Sequence, residues 1–122
     1  MPDPEPPALD DLTRRLIAFR DARDWRPFHG LKNLMLSLNL EAAEILELTQ
    51  WKSDDEIETA AADAEFRDRL GEECADVLLY LLLICERAEI DLEAAARAKM
   101  ELNAVKYPVE KARGNARKHT AL

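Results

Sequence analysis

The chain is poor in the residues that break helices or bond covalently: three glycines, two cysteines, two tyrosines and two histidines in 122 residues. So little glycine and so few aromatics disfavour a sheet-rich fold, while abundant Ala, Leu, Glu and Arg favour helix. Basic residues are in deficit, 17 against 25 acidic, for a formal charge of −8. That balance excludes nucleic acid as a standing partner, since phosphate backbones are held by clustered Lys and Arg. A nucleotide is not excluded, because a metal ion can carry its phosphate charge.

Long apolar runs are also missing. The longest, Val77 to Cys85, is nine residues, too short to span a bilayer, so no membrane association is expected. Residues 1–8 are acidic and Pro-rich, without the basic and apolar segments of a signal peptide, and read as a mobile extension. Cys74 and Cys85 lie eleven residues apart in apolar helical sequence and read as small buried side chains in a reducing compartment. A cytoplasmic protein is the plain expectation.

What is present is helical periodicity. Leu9, Leu12, Leu16 and Phe19 recur at helical spacing behind Asp10 and Asp11, predicting a first helix that ends near Asp24. Pro27 and Gly30 interrupt helix in the stretch Trp25 to Gly30. A second helix is predicted from Leu31 to Trp51, then a loop with N-cap chemistry at Ser53 and an Ala-rich segment without a clear assignment. A third helix spans Glu65 to Glu89, and Asp91 caps a fourth that Tyr107-Pro108 stops. The organisation predicted is an all-α helical bundle over residues 9–108 followed by a basic tail, 109–122.

Two carboxylate pairs carry the chemistry. Glu41 and Glu44 on the second helix, and Glu73 and Asp76 on the third, are i,i+3 pairs with 28 residues between them, and each pair projects from one helix face. In a chain this acidic such pairs are usually a solvated face. Here their neighbours are apolar in nearly every direction, which predicts burial, and buried carboxylates must be protonated, paired or bound to a cation. Four oxygen ligands suit a hard divalent ion, Mg²⁺ or Mn²⁺. Di-iron and zinc sites fit worse, because neither His29 nor His119 stands at ligand spacing from a Glu or Cys.

The same stripes reach Trp51 and Tyr80, while Lys99, Asn103 and Lys106 share a face of the fourth helix. Trp25, Phe28 and His29 sit on the loop bounded by Pro and Gly. Metal for phosphates, Lys and Asn for counter-charge, and aromatics for stacking are what a nucleotide needs. Each aromatic and each lysine also has an ordinary reading, as core or as solvated surface.

The segments Asn33 to Glu44, Gln50-Trp51-Lys52, Glu72 to Tyr80 and Lys99 to Pro108 resemble the MazG-like all-α nucleotide pyrophosphohydrolases, and within them the dCTP pyrophosphatase group. The resemblance covers about residues 9 to 120. It implies a four-helix bundle that completes its core by oligomerisation, commonly a tetramer built from dimers, and cleavage of a nucleoside triphosphate between its α- and β-phosphates. By position it implies Glu41, Glu44, Glu73 and Asp76 as Mg²⁺ ligands, with Trp25 to His29, Trp51 and Tyr80 around base and sugar. Leu16 stands where animal relatives carry a histidine, so the base preference does not carry over. Two other readings compete: a relative acting on dUTP, an oxidised nucleotide or phosphoribosyl-ATP, and a non-catalytic nucleotide-binding helical oligomer.

Overall fold

The computed structural model describes residue 4 and residues 7–121, the side chain of His119 excepted. Most of the extension expected over residues 1–8 therefore lies outside the described residues. Among the described residues there is no strand, and the fold is all-α as expected. No helix is long and apolar enough to cross a membrane.

The helices are α1 (Ala8–Ala22), α2 (Leu31–Glu47), α3 (Asp54–Ala60), α4 (Ala64–Arg87), α5 (Leu92–Lys106) and α6 (Val109–Ala112), with 3-10 turns at Arg26–Phe28 and His119–Ala121. They fall into two compact units, the first ending at Glu89 and the second beginning at Ile90.

Local chemistry explains the boundaries. Asp10 and Asp11 occupy the first turn of α1, and Asp11 also pairs with Arg14 and Arg15. The helix stops two residues before the predicted end, at a turn where Asp24 takes the left-handed φ of 53°. Helix α2 ends at Glu47 rather than Trp51. Thr49 Oγ1 donates back to the Leu46 carbonyl at 2.6 Å, and Trp51 sits at φ 66°, which no helix accommodates.

The segment without a clear assignment is a helix, α3. Ser53 Oγ accepts from the Glu56 amide at 3.2 Å and the Glu56 carboxylate accepts from the Ser53 amide at 3.5 Å, a reciprocal capping box. Asp63 caps α4 by accepting from the Phe66 amide, and Asp91 caps α5 by accepting from the Ala94 amide, each at 3.1 Å.

In the first unit α2 and α1 both pack on α4. The core is thin: the buried apolar residues are Leu34 and Leu48, from α2 and its C-terminal turn, and Leu82, Leu83 and Cys85 from α4. The burial predicted for the all-round apolar helices is therefore incomplete in the single chain. Leu36, Leu40 and Leu46 on α2 are all more than half exposed, and Cys74, expected to be buried, is exposed while Cys85 is buried. An apolar surround in the sequence does not itself supply a packing partner on every side.

Candidate functional site

Glu41 projects from α2 and Glu73 and Asp76 project from successive turns of α4, which α2 packs against. One carboxylate oxygen from each lies within 4.8 Å of the others. Glu41 and Glu73 are half-buried and Asp76 is exposed, so the cluster opens to solvent on the Asp76 side. Glu44 lies outside this triad but is close enough for its carboxyl to hydrogen-bond with those of Glu41 and Glu73.

The electrostatics are those of crowded like charges. Hydrogen bonding with Glu44, then burial, then repulsion from Glu44, Glu41 and Asp76 push Glu73 up to about 6. Glu41 is raised for the same reasons, with burial leading. Carboxyls can share hydrogen bonds in this way only by retaining a proton.

A divalent cation removes that need. The Oε2 atoms of Glu41 and Glu73 are enclosed and have no hydrogen-bond partner, so two acceptor oxygens point inward with nothing to accept from. An all-oxygen donor set with unpartnered anionic atoms fits a hard divalent ion, and these residues could hold one.

Beside the cluster lies a cavity of about 320 Å³, within the size range of small-molecule pockets. Its walls are Leu16, Phe19 and Arg20 from α1, Trp25 and His29 from the turn after it, and Asp76, Leu79, Tyr80 and Leu83 from α4. Asp76 thus belongs to both the carboxylate cluster and the cavity. The Phe19 and Trp25 rings meet edge-on at 5.7 Å between centroids, and Trp25 stands 6.4 Å from the His29 ring. Burial first, then the charges of Arg20 and Arg87, lower the pKa of His29, and its Nδ1 is enclosed without a partner.

Of the residues singled out from the sequence, Trp25, His29 and Tyr80 therefore share one cavity with Asp76. Phe28 and Trp51 do not line it; they are 72% and 92% exposed. Lys99, Asn103 and Lys106 lie on α5 in the second unit, the first two exposed and Lys106 half-buried. Arg20 was missed, and among the described residues it is the one buried charged side chain. Its signal is visible in retrospect: it falls one turn after Leu16 on the apolar stripe of α1, where a charge is out of place.

Residues 36–122 match the model of the MazG-like family, and the chain belongs to that family. Its relatives include dCTP pyrophosphatase 1 of Rattus norvegicus, 44% identical, and that of Homo sapiens, 41% identical. Each alignment covers 95% of this chain and 68% of the relative. A pyrophosphatase of known structure from Archaeoglobus fulgidus is 39% identical and superposes with a TM-score of 0.79 over 88% of this chain and 99% of the other. With this fold and these relatives, the chain is a dCTP diphosphatase-like hydrolase.

Proposed function

We propose that the chain is a Mg²⁺-dependent nucleoside triphosphate pyrophosphohydrolase whose preferred substrate is dCTP or a modified dCTP, releasing the nucleoside monophosphate and pyrophosphate. One observation carries this reading. Asp76 is shared between a cluster that suits a cation and an aromatic-walled cavity that suits a base, so phosphates and base have adjoining places. The dCTP preference rests on the relatives named dCTP pyrophosphatase 1.

Glu41, Glu73 and Asp76 would hold the Mg²⁺, for which Mn²⁺ is a chemical substitute, and Glu44 borders them. When bound, the cation offsets charge on the phosphoryl oxygens and makes water more acidic. Glu44, outside the triad, is the carboxylate available to accept a proton from the attacking water. Trp25, His29 and Tyr80 enclose the base. Phe28 and Trp51, both exposed, are apolar surfaces that substrate or a second copy covers. Lys99, Asn103 and Lys106 have the chemistry for phosphate oxygens.

The protein is further read as a homo-oligomer, a tetramer built from dimers. Met35, Leu36, Leu40 and Leu46 leave an apolar face of α2 uncovered, and a second copy would bury it.

The test is pyrophosphate release from a panel of canonical and modified dNTPs and NTPs, with and without Mg²⁺. Mg²⁺-dependent turnover favouring dCTP or a modified dCTP is the expected result. Another preferred base would move the substrate assignment, and no turnover of any nucleotide would leave a binding protein instead.

A further inference from the structure

Arg20 has no part in the chemistry described so far, yet it is 4% exposed and forms part of the cavity wall beside Trp25, His29, Asp76 and Tyr80. Burying a guanidinium is costly unless it is paired. Nε donates to Asp21 Oδ1 at 3.0 Å, Nη2 lies 3.0 Å from the same oxygen, and Nη1 donates to Glu86 Oε2 on α4 at 3.3 Å. Arginine carries five N–H donors in a rigid plane, and the two hydrogen bonds occupy one on Nε and one on Nη1. N–H donors therefore remain on both Nη1 and Nη2, the two nitrogens with which a guanidinium meets paired acceptors side by side.

The other polar side chains of the wall, Trp25, His29, Asp76 and Tyr80, do not carry paired donors in one plane. Burial and the neighbouring Arg20 and Arg87 charges favour an uncharged His29 ring, which leaves the guanidinium as the cation among the lining residues. Leu16, one turn before Arg20, contributes no polar group.

We propose that Arg20 is a specificity-determining residue that reads the base by its acceptor pattern, selecting cytosine over uracil. Cytosine presents two adjacent acceptors, O2 and N3, which match donors on the two Nη atoms. Uracil has the same size but carries a hydrogen on N3, so one donor of the fork meets another donor in an enclosed site. A site built to hydrogen-bond a ligand rejects an analogue that leaves its polar groups unpaired. Asp21 and Glu86 hold the guanidinium plane in register, so selectivity costs little reordering. The inference rests on the reading that this cavity takes the base.

The test is calorimetric binding of dCMP, dUMP and 3-deaza-dCMP to the full chain, in the wild type and in Arg20→Lys, with a thermal melt of each protein. Wild type is expected to prefer dCMP over dUMP by about 5- to 100-fold, the range of a good bidentate contact, and to lose a similar factor for 3-deaza-dCMP, which lacks only the N3 acceptor. Arg20→Lys keeps the charge but not the fork, and should bring the dCMP:dUMP ratio to within about 2-fold with dUMP binding unchanged. Equal weakening of both ligands in Arg20→Lys, or 3-deaza-dCMP binding as tightly as dCMP to the wild type, would show a purely structural arginine and overturn the proposal. Absence of binding to either ligand would also overturn it. The ligand-side comparison holds even if the variant folds poorly. Selective binding without pyrophosphate release would count against the proposed reaction alone, and pyrophosphate release without selectivity against Arg20 alone.

Discussion

The two halves of α4 handle charge in opposite ways. Towards its C-terminus Leu82, Leu83 and Cys85 are buried, and the one charge taken into that region, Arg20, is answered by Glu86 and Asp21. Three turns earlier Glu73 and Asp76 crowd against Glu41, with inward oxygens on Glu41 and Glu73 that nothing answers. The C-terminal stretch of α4 is arranged for stability, and the stretch around Glu73 and Asp76 against it. A folded chain keeps such an unanswered cluster at the expense of stability, and the missing partner is the one a ligand or ion brings.

The contrast can be broken most sharply by mutation in the carboxylate half. Glu73→Gln or Asp76→Asn should lower turnover by about 10³-fold or more while leaving the helical circular dichroism spectrum unchanged. Near-normal turnover in both would remove the cluster from the reaction. In the packed half, Leu82→Ala empties a site that is 3% exposed and should cost about 2–5 kcal/mol in urea unfolding. A loss below 1 kcal/mol would mean the half-helix is less tightly packed than its burial indicates.

Glu86→Gln should destabilise by about 1–3 kcal/mol, because it leaves the buried Arg20 with Asp21 alone. Glu73→Gln should do the reverse in metal-free protein at neutral pH, where it relieves repulsion. The sign follows from linkage: the folded-state pKa of Glu73, about 6, lies above its ordinary value of 4.5, so its contribution is fully present below pH 4.5 and is lost as pH rises through 6. Melting temperatures of metal-free wild type should accordingly decline across that window, and Glu73→Gln should flatten the decline. This is the smallest of the effects, since the cluster is only half-buried. An unchanged slope would show that the crowding carries no energetic weight.

How much of this could be read from residues alone varied with the kind of signal. Helices with a local start signal were legible: Asp91 capping Ala94 was placed from the sequence, and Ser53 was recognised as a cap even though the helix it starts, α3, was not. That helix is seven residues long and too polar to show an apolar period, so its Ser-x-x-Glu cap was the only available clue. The end of α2 was misplaced because Trp51 continues the apolar stripe, while the helix ends four residues earlier, at Glu47.

At the site, the i,i+3 spacing put Glu73 and Asp76 on one face of α4, but only the tertiary packing of α2 on α4 decides that Glu41 joins them and Glu44 stands beside them. The cavity depends on α1, the turn after it and α4 meeting, a three-way encounter that periodicity does not encode. Hence Trp25, His29 and Tyr80 could be suspected one at a time, whereas Arg20 could not be given a role. Phe28, on the turn after α1, and Trp51, at the register of the α2 stripe, are both exposed in the single chain.

The clustered carboxylates of Glu41, Glu73 and Asp76 are proposed above as a divalent-cation site. It is tested most directly by calorimetric titration of Mg²⁺ into metal-stripped wild type and Glu73→Gln, in buffers of different ionisation enthalpy at pH 6 and pH 8. Binding to the wild type should release protons at pH 6, where Glu73 is still partly protonated, and few at pH 8, and the affinity should collapse in Glu73→Gln. Equal Mg²⁺ affinity in the two proteins, or no binding to the wild type at either pH, would contradict it.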